Sequence, residues 1–352
     1  MRIDDLETPV PVVDLDILES NLARMQAYCD EHGLRLRPHI KTHKCPQIAR
    51  MQIDGGAVGI TCQKLSEAEV MVDAGFVDIH MSYPLVGVGK AERLAALARR
   101  AHVSVSVDSD QTLETATAAA KQAHSRIPVL IDFDSGAGRT GVLHPEDALR
   151  LAKLVLATPN LEFEGLITYP LSPASGEFYL RALSLFQSEG IEIRRFSGAG
   201  TPTAWTAHLT PGLTEVRQGS YVFFDRSTVA DGAATLDDCA LHVWATVVSR
   251  PTKEKAILDS GSKTLSSDRV PDYAGPGYGL IREWPDAVIE RLYEEHALVR
   301  VPNGCDGLQI GERVRVLPNH VCVVVNLHNE LLGTRSGQVE QTLSILARGK
   351  SQ

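Results

Sequence analysis

Between residues 16 and 225 the apolar positions switch repeatedly between a helix-like and a strand-like period. Ile17, Leu18, Leu22, Met25 and Tyr28 recur at helical spacing, and Gly33 follows as a stop. Short apolar or alternating runs then predict strands at residues 34–38, 58–61, 78–82, 103–107, 129–133, 163–168, 193–197 and 214–217. Helical patterns separate most of them, at residues 47–54, 66–74, 91–100, 111–124, 146–156 and 178–190. Strands alternating with helices are the pattern of parallel βαβ units, and eight such units fit a (β/α)8 TIM-like barrel. An open doubly wound sheet is the alternative.

Beyond about Leu236 the rhythm changes. Strands are expected at residues 241–248, 255–258, 298–301, 313–317, 321–327 and 340–346, and only residues 286–295 read as a helix. This is a mostly antiparallel β domain. The expected division is a barrel over residues 16–235 and a β domain formed by residues 1–15, which contain an early strand from Val10, together with residues 236–352.

Composition narrows the class. The chain has 352 residues, 43% of them apolar and 22% charged, which is enough for a sizeable core and excludes disorder. Its 35 Lys+Arg against 44 Asp+Glu leave a net charge of -9, a poor match to phosphate backbones, so no nucleic-acid partner is expected. No signal-peptide pattern opens the chain, and no run approaches the roughly 20 apolar residues of a membrane helix. The six cysteines form no CxxC pair and read as reduced thiols, so a cytoplasmic enzyme with no membrane partner is expected.

Chemistry in a barrel gathers in the loops after the strands. After the first comes Pro38-His39-Ile40-Lys41-Thr42-His43-Lys44, where a lysine in the mouth can serve as a Schiff-base amine. After the seventh and eighth come Ser197-Gly198-Ala199-Gly200-Thr201-Pro202-Thr203 and Gln218-Gly219-Ser220-Tyr221. Small residues there let backbone N–H groups approach an anion. A lysine facing a phosphate cradle suggests a pyridoxal-phosphate site.

Two nucleotide-like motifs do not fit. Gly136-Ala137-Gly138-Arg139-Thr140-Gly141 follows the fifth strand instead of opening a first βαβ unit, and Asp259-Ser260-Gly261-Ser262-Lys263-Thr264 lacks the first glycine of a P-loop. Farther on, Pro318-Asn319-His320-Val321-Cys322 sets His320 and Cys322 two apart on an expected strand, hence on one face, where both could hold a metal ion with zinc preferred. A buried cysteine beside a capping histidine is the alternative.

Together and in order, Pro38-His39-Ile40-Lys41-Thr42, Gly59-Ile60-Thr61-Cys62-Gln63-Lys64-Leu65, Gly138-Arg139-Thr140-Gly141-Val142, Gly200-Thr201-Pro202-Thr203, Gly219-Ser220-Tyr221 and Pro318-Asn319-His320-Val321-Cys322 resemble the D-threonine aldolase / eukaryotic-type D-serine dehydratase family. These are fold type III pyridoxal-phosphate enzymes related to alanine racemase. The resemblance, from about Thr8 to about Arg348, implies the barrel, the β domain and a homodimer. It assigns the Schiff base to Lys41, with Lys44 as runner-up. Gln63 and Arg139 fall beside the pyridine ring, with His39 and Tyr169 among the cofactor contacts. Gly200, Thr201, Gly219, Ser220 and Tyr221 fall at the phosphate. His320 and Cys322 become ligands of a divalent metal, zinc or manganese.

The chain departs from the family pattern at Thr168-Tyr169-Pro170-Leu171, where many relatives carry a histidine-containing segment. Tyr169 is the candidate replacement acid/base. The His/Cys pair resembles the dehydratase branch, whereas Tyr169-Pro170 and Val325-Asn326-Leu327-His328 resemble the aldolase branch. The expected activity is retro-aldol cleavage of a D-3-hydroxy amino acid to glycine and an aldehyde. The alternatives are β-elimination from D-serine or D-3-hydroxyaspartate to a 2-oxo acid and ammonia, and a non-catalytic cofactor-binding protein.

Overall fold

The structure is a computed structural model and describes residues 1–352 apart from Ala199 and Gly304. It has two compact units: Met25–Lys41, Ala49–Gly219 and Lys350–Gln352 form one, and Met1–Arg24, Thr42–Ile48 and Ser220–Gly349 form the other. The chain therefore changes unit at Arg24/Met25, Lys41/Thr42, Ile48/Ala49, Gly219/Ser220 and Gly349/Lys350.

The first strand, β1 (Val10–Asp14), belongs to the second unit. The barrel strands follow: β2 (Arg35–Leu36), β3 (Ile60–Cys62), β4 (Asp78–Met81), β5 (His102–Val107), β6 (Ile127–Phe133), β7 (Leu161–Thr168), β8 (Arg195–Gly198) and β9 (Glu215–Val216). All are parallel, in the order β3-β4-β5-β6-β7-β8-β9-β2. The two ends of this sheet meet, because Val58 N–H donates to Leu36 O at 2.9 Å and Thr61 N–H to Pro38 O at 2.8 Å. The result is a closed (β/α)8 barrel, as the alternating pattern predicts.

The connecting helices obey local rules. Asp110–Ala123 starts at Ser109, whose Oγ accepts from Thr112 N–H, and buries Leu113, Ala116, Ala119, Ala120 and Ala123 along one face. Pro145–Ala157 and Pro173–Ser188 each open on proline, whose missing N–H costs nothing there. Between β8 and β9 the connection holds two short 3-10 turns, Thr201–Thr203 and Ala207–Leu209.

Charge fills part of the barrel interior. Glu215 is wholly buried and accepts from Arg37 Nε at 3.0 Å and from Arg195 Nε at 3.0 Å and Nη2 at 2.6 Å. Ser197 Oγ adds a fourth donor at 2.7 Å. Burial alone would raise the Glu215 pKa, but Arg195 and Arg37 outweigh it and bring it down to about 2.

The second unit contains β10 (Leu241–Thr252), β11 (Lys255–Leu258), β12 (Leu280–Ile281), β13 (Val288–Leu292), β14 (Ala297–Arg300), β15 (Arg313–Leu317), β16 (Glu330–Arg335) and β17 (Gln338–Ser344). The pairings β10-β11-β14-β13-β12-β15-β10 close an antiparallel ring around Val243, Val247, Leu258, Ile289, Val299 and Val316. Beside the ring, β1 joins β10 to β16.

Two elements reverse expectation. Residues 321–327 form a helix, Val321–Leu327, in spite of a valine-rich run that favours strand. Its buried positions, Val321, Val324 and Val325, fall at helical spacing, and Asp225 Oδ2 accepts the Val321 N–H at 3.0 Å. Residues 286–295 are not helical: Val288–Leu292 pairs with β14, and a register shift between Ile289 and Arg291 breaks the alternation that would have marked a strand. Among the described residues no helix is long and apolar enough to cross a membrane.

Replacing Glu215 by alanine would leave Arg37 and Arg195 without their shared buried partner and is expected to cost about 3–5 kcal/mol. Because the folded pKa lies near 2 against an ordinary 4.5, the carboxylate's contribution is present above about pH 5 and fades as pH falls toward 2. Denaturant unfolding of wild type and Glu215→Ala should show a stability difference that shrinks over that interval.

Candidate active site

The barrel mouth collects one pocket from the C-terminal ends of its strands. Lys41 enters after β2, Gln63 after β3, Ser82 after β4, Arg139 after β6, Tyr169 after β7 and Arg217 after β9. His39, Ser106, Asp132 and Thr168 complete its polar lining. Five expected site residues, His39, Lys41, Gln63, Arg139 and Tyr169, thus come together.

His39 is fixed from both sides. Its Nδ1 accepts the Lys41 backbone N–H at 3.4 Å, which leaves Nε2 to donate to Gln63 Oε1 at 2.9 Å. Ser82 Oγ lies 3.2 Å from the same Nε2. Burial, then the charges of Lys41 and Arg217, hold the His39 pKa well below its ordinary range, so the ring is neutral.

Tyr169 carries two cations on its ring, with Arg139 Cζ 4.6 Å and Lys41 Nζ 5.6 Å from the centroid. Arg139 sits in the glycine-rich segment 136–141, which wraps around Asp134: Oδ1 accepts from Ala137 N–H at 2.9 Å and Gly138 N–H at 3.1 Å. The nucleotide-like motif is thus the turn that presents Arg139.

Arg217 lies under the pocket, wholly shielded, and burial brings its pKa down to about 10. Its Nε donates to Ser197 Oγ at 2.9 Å and its Nη2 to Thr168 O at 2.7 Å. Burial raises Asp132 to about 6, while Thr140 Oγ1 donates to Asp132 Oδ2 at 2.9 Å.

The expected phosphate loops leave neighbouring strands, and Arg217 N–H donates to Gly198 O at 3.0 Å. Gly200 has φ +143, which other residues rarely adopt, and Thr201 is buried beside it. Ala199 lies outside the described residues. Next to Gly219, the Gln218 amide is buried with neither polar atom hydrogen-bonded, as in a loop shaped to receive a further polar group. A pocket with two arginines and a lysine amine, and small-residue loops after the neighbouring strands β8 and β9, fits pyridoxal phosphate. Ser220 and Tyr221 belong to the other unit, in the 3-10 turn Ser220–Val222, and Tyr221 is buried.

His320 and Cys322 also lie in that second unit, but not on a strand. His320 caps the helix Val321–Leu327, and Cys322 stands in its first turn. The side chains still approach each other: burial disfavours the His320 charge, but hydrogen bonds to Asp225 and Cys322 outweigh it and push the pKa up to about 11. Cys322 Sγ lies 3.2 Å from Thr42 Oγ1. Among the described residues no three His, Cys, Asp or Glu side chains gather as a metal site, so a cation here would have two protein ligands. An imidazole with a thiol is a donor set suited to zinc. Lys44, the alternative amine, instead donates through Nζ to Asn326 Oδ1 at 2.9 Å.

Comparison with known proteins decides the family. The Alanine racemase, N-terminal domain family matches residues 13–227, and a serine dehydratase domain family matches residues 240–334. D-threonine aldolase from Arthrobacter sp is 36% identical over 99% of this chain and 94% of its own. The chain belongs to the D-threonine aldolase and D-serine dehydratase family. The crystal structure of D-threonine aldolase from Filomicrobium marinum superposes with a TM-score of 0.90 at 32% identity, covering 99% of this chain and 97% of that one. D-threo-3-hydroxyaspartate dehydratase from Delftia sp. HT23 gives 0.86 at 30% identity, covering 97% and 98%. A mutant of D-threo-3-hydroxyaspartate dehydratase with alanine in place of a cysteine is known in a metal-free form.

As a member of this family the chain is a pyridoxal-phosphate-dependent lyase with the alanine racemase-like fold. Sequence reasoning about the family site missed Arg217, Ser82, Asp132 and Asp225. Arg217 had no signal beyond its place at the end of the expected strand 214–217. Asp225 had none, because its partner His320 lies 95 positions away.

Gly141 has φ +105, and a Cβ there would lie 2.4 Å from Phe133 C. Gly141→Ala is expected to destabilise the fold by more than about 1 kcal/mol and to displace Arg139. Thermal unfolding reads the first effect, and pyridoxal-phosphate affinity the second.

Proposed function

We propose that this lyase cleaves D-3-hydroxy amino acids by a retro-aldol reaction, yielding glycine and an aldehyde, with pyridoxal phosphate and a divalent metal. The observation that carries the reading is the convergence of Lys41, Arg139, Tyr169, Gln63 and neutral His39 on one pocket. The 36% identity to a D-threonine aldolase along nearly the whole chain supports the choice of reaction.

Lys41 is the amine that would carry the cofactor, and the Lys41 N–H bond to His39 holds that backbone in place. Arg139 and Arg217 form a cationic lining suited to phosphate and to the substrate carboxylate. Bound pyridoxal phosphate supplies an electron sink at the substrate Cα. Tyr169, 39% exposed at the mouth, is the proposed base that takes the hydroxyl proton as the Cα–Cβ bond breaks. The electron pair stays at Cα, which takes up a proton to give glycine. His320 and Cys322 would hold zinc or manganese, whose Lewis acidity lowers the pKa of a hydroxyl. Gly200, Thr201, Gly219, Ser220 and Tyr221 are the proposed phosphate contacts.

The second reading is dehydration, favoured by the His320–Cys322 pair and by the similarity to the Delftia dehydratase. There Lys41 would remove the Cα proton and the β-hydroxyl would leave as water, and hydrolysis of the released imino acid by water would give a 2-oxo acid and ammonia. The reading includes a homodimer, and a cytoplasmic setting consistent with scattered cysteines that form no CxxC pair.

Borohydride should trap cofactor on wild type and on Lys44→Ala, whereas Lys41→Ala should lose both the trapped adduct and activity, the latter by at least about a hundredfold. Retention of the adduct in Lys41→Ala would move the attachment site. Mass spectrometry of products from D-threonine, D-serine and D-3-hydroxyaspartate should show glycine with an aldehyde; pyruvate or another oxo acid would establish dehydration instead. EDTA treatment and His320→Ala should each lower turnover at least about tenfold, with metal content falling in parallel.

A further inference from the structure

Resting on the reading of His320 and Cys322 as metal ligands, we propose that Asp225 is the positioning residue of that site, holding the Nδ1–H of His320 so that Nε2 is the nitrogen offered to the cation. Asp225 is wholly buried, and its Oδ2 accepts from His320 Nδ1 at 3.0 Å. The same Oδ2 accepts the Val321 N–H at 3.0 Å, while Oδ1 accepts the Thr228 N–H at 2.9 Å. Thr228 Oγ1 accepts the Asp225 N–H at 2.8 Å in return. Three donors from two short helices leave this carboxylate no freedom to turn.

The geometry does two things at once. A carboxylate behind a metal-bound imidazole selects its tautomer, fixes its plane and makes the distal nitrogen a better donor. Through Val321 the same oxygen also anchors the first turn of the helix that carries Cys322. Both proposed ligands are therefore referenced to one buried atom, although Asp225 itself need not touch the metal. Asp225 also closes the segment that begins with Ser220 and Tyr221, since Phe224 N–H donates to Ser220 O at 2.7 Å just before it.

A purely structural cap makes a different prediction. Asparagine at 225 can still accept from one helix N–H, but its amide presents a donor that opposes the Nδ1–H tautomer. Asp225→Asn in the pyridoxal-phosphate-loaded protein should therefore weaken zinc binding about 10–100-fold in competition with a chelating dye, with cofactor retention and circular dichroism unchanged. Zinc affinity within about twofold of wild type would overturn the proposal. Wild type that binds no zinc, or His320→Ala that binds it as wild type does, would remove the ligand reading and the proposal with it, and differs from the first failure by not involving Asp225. A second measurement needs no variant at 225. In zinc-loaded wild type with ¹⁵N-labelled histidine, the resonance lost in His320→Gln should carry its proton on Nδ1 and its metal on Nε2. The reverse assignment would overturn the proposal.

Discussion

One buried carboxylate organises the barrel. Glu215 sits on a strand of two residues, β9, paired with β2 on one side and β8 on the other. Arg37 reaches it from beside β2 and Arg195 from β8, so the strands on either side are tied to one point. Each of these charges would be costly to bury by itself, and together they satisfy one another. Ser197 extends the arrangement upward, donating to Glu215 and accepting from Arg217. The floor of the pocket is thus set by an ion network one layer below it.

The pocket differs in character from that layer. Below, positive and negative groups are matched; at the mouth, Lys41, Arg139 and Arg217 face a single carboxylate, Asp132, which burial inclines toward its neutral form. An excess of fixed positive charge in a shielded cleft is a standing preference for anions. His39 adds orientation without adding charge. Its neutrality follows first from burial and then from the cations around it, while the Lys41 N–H and Gln63 keep it in one tautomer.

Much of this was legible in the chain. The alternation of helical and strand periods located all eight barrel strands, because a parallel sheet covered by helices leaves short apolar runs between helical patterns. Reading the loop after each strand brought His39, Lys41, Gln63, Arg139 and Tyr169 to one mouth, since barrel topology fixes which end those loops share. Legibility failed where tertiary partners overrode local preference. The valines of 321–327 favour a strand, yet Asp225 captures the first N–H and a helix results. The bulge at Ile289/Arg291 disguised a strand as a helix. His320 and Cys322 do approach each other, but as a cap and first-turn pair, not by strand alternation. Asp225 and Arg217 act through partners distant in sequence, for which a single chain carries no spacing rule.

The path of the chain between the two units has an evolutionary implication. Lys41 closes one stretch of the barrel unit and Thr42 opens a stretch of the other, while Gly219 and Ser220 divide in the same way. Motifs contiguous in sequence are therefore shared out between units peptide bond by peptide bond. Recombination that exchanged one unit as a cassette would sever both motifs at their most sensitive junctions.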